Sequence, residues 1–439
     1  MAELTSPNSL GIASQTRREA RRVGLASVVG TSIEWYDFFV YSQAAALSFG
    51  TIFFPELSTT AGVLAGFATF GVGFAARPIG AVIFGHFGDR IGRKAALVTT
   101  LLTMGIGTFL VGCLPTYGQI GIWAPLILVV LRLLQGLAVG GEWGGAVLMS
   151  VEHAPRHRRG FYGSWPQMGI PIGLSTAALL LFILSETLGK RSLDGWGWRI
   201  PFLVSALLVI VGLIVRLRVT ESPLFRKLQE QGAELRIPVL DVIRNAWGRC
   251  LLIIFAQSSV NIGFYVFSVY SLSYATKNVG ETSADTLIAL VIASVFDLIA
   301  IPLWGHVADR VGRRPVLYFG SIFLAVYMYP FFMMVHTGNV VLLAAALAIG
   351  LALGHASAYS AFASFAAEKF DSRTRYTGAS ITYQLSSALI SGPAPFIATA
   401  LVAAFHSYVP VVLLVVLGAI VGVCCITALS ETRGSELER

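Results

Sequence analysis

Five ionisable residues stand in otherwise apolar stretches of this chain: Glu34, Asp37, Arg77, Arg132 and Asp297. A charge at the centre of a bilayer costs about 2.5–3.5 kcal/mol on insertion scales, so each needs a partner or a wet cavity. A carboxylate in such a place can take up and release a proton, and a guanidinium can grip a carboxylate through two parallel N–H donors. Asp37 and Arg132 supply one of each. Deprotonated Asp37 would be stabilised by the arginine, and protonating it would free the guanidinium to face an anion. The alternative is an ion pair that only holds two helices in register.

Other residues join these two by spacing. Glu34, Asp37 and Tyr41 lie at i, i+3 and i+7 and share one helical face, as do Arg132 and Gln135 on another helix. Asp37, Arg132 and Glu34 form the candidate proton-coupling set. Arg77 is either a bidentate grip on a carboxylate or a packing and gating partner for a neighbouring helix. Asp297 could be a second protonatable site or a partner for a ligand hydroxyl. Tyr41, Gln135, Asn261, Tyr265, Tyr383 and Gln384 are polar groups in apolar spans that suit a hydroxylated ligand, though each could equally satisfy neighbouring backbone. His355 is a further cavity candidate.

The elements that must hold these residues are set by composition. The chain is 55% hydrophobic and only 12% charged, against roughly 25% charged in a soluble domain. Apolar runs of about 20 residues recur along its whole length, which predicts a polytopic helical membrane protein. Spans are predicted at 24–50, 61–85, 95–114, 121–150, 160–184 and 199–218, then at 247–275, 284–305, 315–336, 338–366, 376–403 and 408–429. Residues 1–23, 219–246 and 430–439 are polar and read as N-terminal segment, linker and tail around bundles 24–218 and 247–429.

All but six of the 31 Lys and Arg residues fall in the termini and in alternate loops on one side. The exceptions are Arg77, Arg132, Lys190, Arg191, Arg199 and Lys277. By the positive-inside rule that side is cytoplasmic, as are both termini. This placement, rather than nucleic-acid binding, accounts for the net charge of +8. The four cysteines have no metal-ligand spacing and read as packing residues. No Ser/His/Asp cluster suggests a membrane-embedded enzyme, and no ring of charges suggests a channel.

The chain also repeats itself. Gly85-His86-Phe87-Gly88-Asp89-Arg90-Ile91-Gly92-Arg93-Lys94 returns 220 positions later as Gly305-His306-Val307-Ala308-Asp309-Arg310-Val311-Gly312-Arg313-Arg314. Glu152, Arg159 and Ser164 recur as Glu368, Arg375 and Ser380. Two parallel six-helix repeats imply a pseudo-two-fold axis along the membrane normal and a site between the halves. In this alignment Asp37 matches Val266, Arg132 matches Ala346, and Arg77 matches Asp297. Neither member of the Asp37–Arg132 pair is therefore needed to build a half.

The repeated turn, the 6+6 layout and the long central polar segment resemble the major facilitator superfamily. Glu34-Trp35-Tyr36-Asp37-Phe38, Arg77-Pro78-Ile79-Gly80, Arg132-Leu133-Leu134-Gln135-Gly136, Gly140-Gly141-Glu142-Trp143-Gly144-Gly145 and Trp196-Gly197-Trp198-Arg199-Ile200-Pro201-Phe202 resemble its metabolite–proton symporters. Gly66-Phe67-Ala68-Thr69-Phe70-Gly71-Val72-Gly73-Phe74 is similar to shikimate transporters. The resemblance implies an all-α membrane protein of twelve transmembrane helices in two pseudo-symmetric six-helix bundles. It implies a monomer in the bacterial cytoplasmic membrane, without cofactor or metal. The implied function is import of a small organic acid, such as shikimate, with protons by alternating access. A proline or betaine importer and a drug–proton antiporter are the rivals. The helices of Asp37 and Arg132 would line the central cavity. Asp89 would sit at a helix N-terminus and Arg93 would reach Glu152, with Asp309, Arg313 and Glu368 repeating the latch in the second half.

Overall fold

The computed structural model describes residues 7–91, 93–140, 142–152, 154–217, 242, 244, 246–370 and 375–434. Within these it describes the side chains of all but 7–23, 85–97, 190, 191, 194 and 215–217. Most of the 219–246 linker and the last residues of the tail lie outside this set.

The described residues run through twelve long helices: α1 Pro7–Leu47, α2 Thr59–Ile91, α3 Arg93–Cys113, α4 Trp123–Glu152, α5 Arg156–Gly189 and α6 Arg199–Leu217, then α7 Trp247–Val279, α8 Ser283–Val311, α9 Arg313–Val335, α10 Val340–Ala367, α11 Arg375–Phe405 and α12 Val409–Ala428. Among the described residues, ten helices are long and apolar enough to cross a membrane by length and composition. α1 and α3 complete the twelve. The polarity of Glu34 and Asp37 dilutes α1, and the apolar part of α3 is only Val98–Cys113. α1 also begins at Pro7, inside the stretch that reads in sequence as a separate polar segment.

Local signals start and interrupt these helices. The Thr282 hydroxyl accepts the Asp285 N–H (3.0 Å) ahead of α8, and the Asn339 side chain accepts those of Val341 (2.9 Å) and Leu342 (3.2 Å) ahead of α10. Pro78, Pro302 and Pro330 lie inside α2, α8 and α9, as membrane helices tolerate where neighbours satisfy the freed carbonyls. Wide π-type turns interrupt α7 at Val266–Tyr270, α10 at Gly350–His355 and α11 at Ser387–Ser391. Such turns are frequent at functional sites.

The outer faces are lined by exposed Leu, Ile, Val and Phe, including Leu207, Phe296, Val326 and Leu413, as a lipid-facing surface requires. Inside, α2 and α4 pack with their backbones nearly touching. A Cβ at Gly136 would overlap the Gly73 carbonyl, and one at Gly140 would overlap that of Arg77. Small residues permit this approach in membranes, where close packing drives association. It brings the Arg77 and Arg132 helices side by side. α5 packs as tightly on α1, where a Cβ at Gly173 would lie 2.6 Å from the Tyr36 nitrogen.

Candidate functional site

Asp37, Arg77, Arg132 and Asp297 are all 3% exposed or less, which places them inside the protein rather than against lipid. Phe38 on α1 lies between the two arginines. The Arg77 guanidinium carbon is 4.8 Å from its ring centroid and that of Arg132 is 5.3 Å away. Arg77 also covers Phe74 (4.2 Å), and Arg132 covers Tyr41 (3.8 Å). Ring faces are negative, so these contacts hold the cations without neutralising them.

Asp37 and Arg132 are not within ion-pair distance of each other, and a chain of polar groups runs from Arg132 toward the acid. Arg132 Nη1 donates to Gln135 Oε1 (3.0 Å), and Gln135 Nε2 donates to Thr108 Oγ1 (2.8 Å). The Thr108 hydroxyl donates to the Met104 carbonyl (3.0 Å) and stands beside the Asp37 carboxylate. A hydroxyl has one proton to give, so Thr108 can donate to Met104 or to Asp37 but not fully to both. Arg132 Nε and Nη2 and Asp37 Oδ1 have no hydrogen-bond partner within the protein. The physical reason for the relay is that α3 contributes Thr108 between α1 and α4, which no spacing within either helix reveals.

A small central pocket lies between the halves. α1 and α5 contribute Trp35 and Ile170; α7, α10 and α11 contribute Asn261, Phe264, Tyr265, His355, Tyr359, Tyr383, Ser387 and Ser391. Asn261 donates to Ser386 (2.9 Å), and the Tyr359 and Tyr383 hydroxyls share a hydrogen bond (3.1 Å). Tyr383 stacks on Trp143 of α4 at 3.9 Å, and Glu34 of α1 acts electrostatically on Tyr383. Tyr41 donates to Thr69 (2.7 Å), away from this pocket. Gln384 donates to the carbonyls of Val139 (3.4 Å) and Gly140 (3.1 Å), tying α11 to α4. Asp297 sits one layer behind the pocket against His355 Nδ1, at 3.1 and 3.0 Å from its two oxygens. Sequence reading singled out both residues but did not join them; an ionisable residue at depth on α10 was the available signal.

At the end carrying the repeated turns, the halves interlock. Asp309 of α8 accepts the N–H groups of Gly160 (2.8 Å) and Phe161 (2.9 Å) at the start of α5. Arg313 bridges Asp309 (3.2 Å) and Glu368 (3.1 Å). Glu152 pairs across the halves with Arg375 at 3.8 Å. The side chains of Asp89 and Arg93, the first copy of the latch, lie outside the described residues. Glu431, which in sequence is only a repeat of Glu221 with no role of its own, accepts the N–H groups of Arg313 and Arg314 (2.9 Å each) at the start of α9.

A profile of the Major Facilitator Superfamily matches residues 38–393, and again 261–437. The chain belongs to this superfamily. It is 40% identical over 382 residues to the inner membrane metabolite transport protein YhjE of Escherichia coli K12, across 86% of this chain and 87% of that one. It is 40% identical over 388 residues to the shikimate transporter of the same organism, across 88% and 89% of the two chains. The structure of the proton:xylose symporter XylE superposes with a TM-score of 0.74 at 20% identity, over 96% of this chain and 98% of XylE, which shows a shared fold. This superfamily member is a multi-pass membrane transporter, not an enzyme.

Proposed function

We propose that this transporter imports a small carboxylate together with protons, a shikimate-like acid being the foremost candidate. The observation that carries the reading is a pair of buried guanidiniums with no carboxylate in contact among the described residues. Two guanidiniums flank Phe38, and among the described residues neither is within ion-pair distance of a carboxylate. An anion arriving there meets Arg132 donors that the protein leaves unused. Protonating Asp37 removes the charge that competes for Arg132, so proton and substrate load together and the site can cross nearly neutral. The shikimate transporter's 40% identity supports the substrate class. Asn261, Tyr265 and Tyr383 supply polar groups for a hydroxylated acid, and Arg77 a second cation.

In this reading the two six-helix bundles, 24–218 and 247–429, rock about the pocket in a monomer of the bacterial cytoplasmic membrane with both termini inside. Asp309, Arg313, Glu368 and Glu152, with Asp89 and Arg93, latch the cytoplasmic end. Radiolabelled uptake into proteoliposomes under an imposed pH gradient, with shikimate, other organic acids and betaine, tests it. Uphill, acid-driven uptake of a carboxylate is expected. Uptake of betaine but no acid, or efflux driven by entering protons, would overturn it.

A further inference from the structure

The Asp297–His355 pair has no part in the relay around Arg132, yet it is built with care. Asp297 is fully buried on α8, and both its oxygens face one imidazole nitrogen. His355 closes the π-type turn of α10 and lines the pocket. Its ring is held between Phe264 (4.3 Å) and Tyr359 (4.8 Å), so its orientation is fixed. Every hydrogen bond of the ring runs through Nδ1, which leaves Nε2 on the opposite edge. A purely structural pair has no need of a histidine edge in a pocket between the two halves.

We propose that Asp297 and His355 form a second proton-accepting site, whose Nε2–H, once formed, donates to the carboxylate of the transported acid. The proposal rests on the carboxylate-import reading above. Nδ1–H donates to Asp297, which sets the tautomer and leaves the Nε2 lone pair as the proton acceptor. In that state the pair carries one negative charge and presents an acceptor, which repels a carboxylate. A proton from water adds to Nε2, the pair becomes neutral, and the same atom becomes a donor. On release the N–H bond breaks, and the proton leaves with the substrate.

The surroundings leave this chemistry to the pair. From α7 come Phe264 and Tyr265, from α10 Tyr359, from α11 Tyr383 and two serines, and from α5 Ile170. α9 contributes Leu324 behind Gly354, and α1 contributes Trp35, with Glu34 acting on Tyr383. The titratable group in contact with Asp297 is His355. The halves thus divide the labour: Asp37 loads a proton beside Arg132, and the position matching Arg77 in the repeat loads another beside the pocket.

Calorimetry of shikimate binding to the purified transporter, repeated in buffers of different ionisation enthalpy, counts the protons taken up. The Asp37→Asn protein should still take up about one proton per shikimate bound, and its Kd should rise with pH, by at most about tenfold per unit. Adding His355→Gln should abolish the uptake and flatten the pH dependence, as should Asp297→Asn, which serves if the first double variant does not fold. Equal proton uptake with and without His355, or none in Asp37→Asn alone, would overturn the second site while leaving acid import standing. A wild-type protein that binds no carboxylate would remove the parent reading and this one with it.

Discussion

Removing the Asp309 charge should tip the transporter toward the state open at its turn-bearing end. Asp309 accepts two N–H groups from the other half, Gly160 at 2.8 Å and Phe161 at 2.9 Å, and both bonds must break when that end opens. Its pairing with Arg313 lies within one half and persists in both states, so it cancels to first order. Asparagine keeps one acceptor oxygen but turns an amide toward the second N–H, so one charge-assisted bond is lost. Such a bond contributes about 1.5–3 kcal/mol, and each 1.4 kcal/mol is about a tenfold shift. Asp309→Asn should therefore raise the open-to-closed ratio about 10- to 150-fold. Starting from about 1% open, that is about 10% to 60%. Pulsed electron–electron resonance between spin labels placed across this end would read the ratio directly. An unchanged distance distribution in Asp309→Asn would refute the latch, because the two bonds would then carry no differential energy between states.

Asp37→Asn should lower the accumulation of substrate reached under a given pH gradient, the Asp297–His355 pair supplying what remains, while sparing substrate counterflow measured in the same proteoliposomes. Arg77→Lys removes the planar fork and its ring contacts, and should weaken shikimate binding by about tenfold with the melting temperature little changed. Gly136→Ala places a Cβ against the Gly73 carbonyl; overpacking of this kind costs about 1–3 kcal/mol and should lower the melting temperature and the monodisperse yield. Burial pushes Glu431 up, but the N–H groups of Arg313, Arg314, Arg433 and Thr432 outweigh it and hold the carboxyl below the usual range. A group depressed on folding stabilises above its unfolded value and loses that stabilisation as pH falls through its folded value. Glu431→Gln should therefore lower the melting temperature equally at pH 7 and pH 6, with the gap closing only below about pH 4.

The amino-acid sequence by itself determined the helices and their order, because apolar length and the charge of short turns are local properties. Most helix bounds fall close to the predicted spans; α1 instead begins at Pro7, inside the stretch that reads in sequence as a separate polar segment. The burial of Arg77, Arg132, Asp37 and Asp297 was equally legible, since an ionisable residue in an apolar span has few places to go. Partners were not legible. Whether Arg132 meets Asp37 directly or through Gln135 and Thr108 depends on how closely α3 approaches α1 and α4. That distance is set by side-chain volumes on all three helices. Gln384 reads as a pocket residue, but its register on α11 carries it to the carbonyls of α4, where the two halves meet. Asp297 and His355 are 58 positions apart. Nothing in either neighbourhood announces the other, and only the packing of α8 on α10 brings the acid to the imidazole.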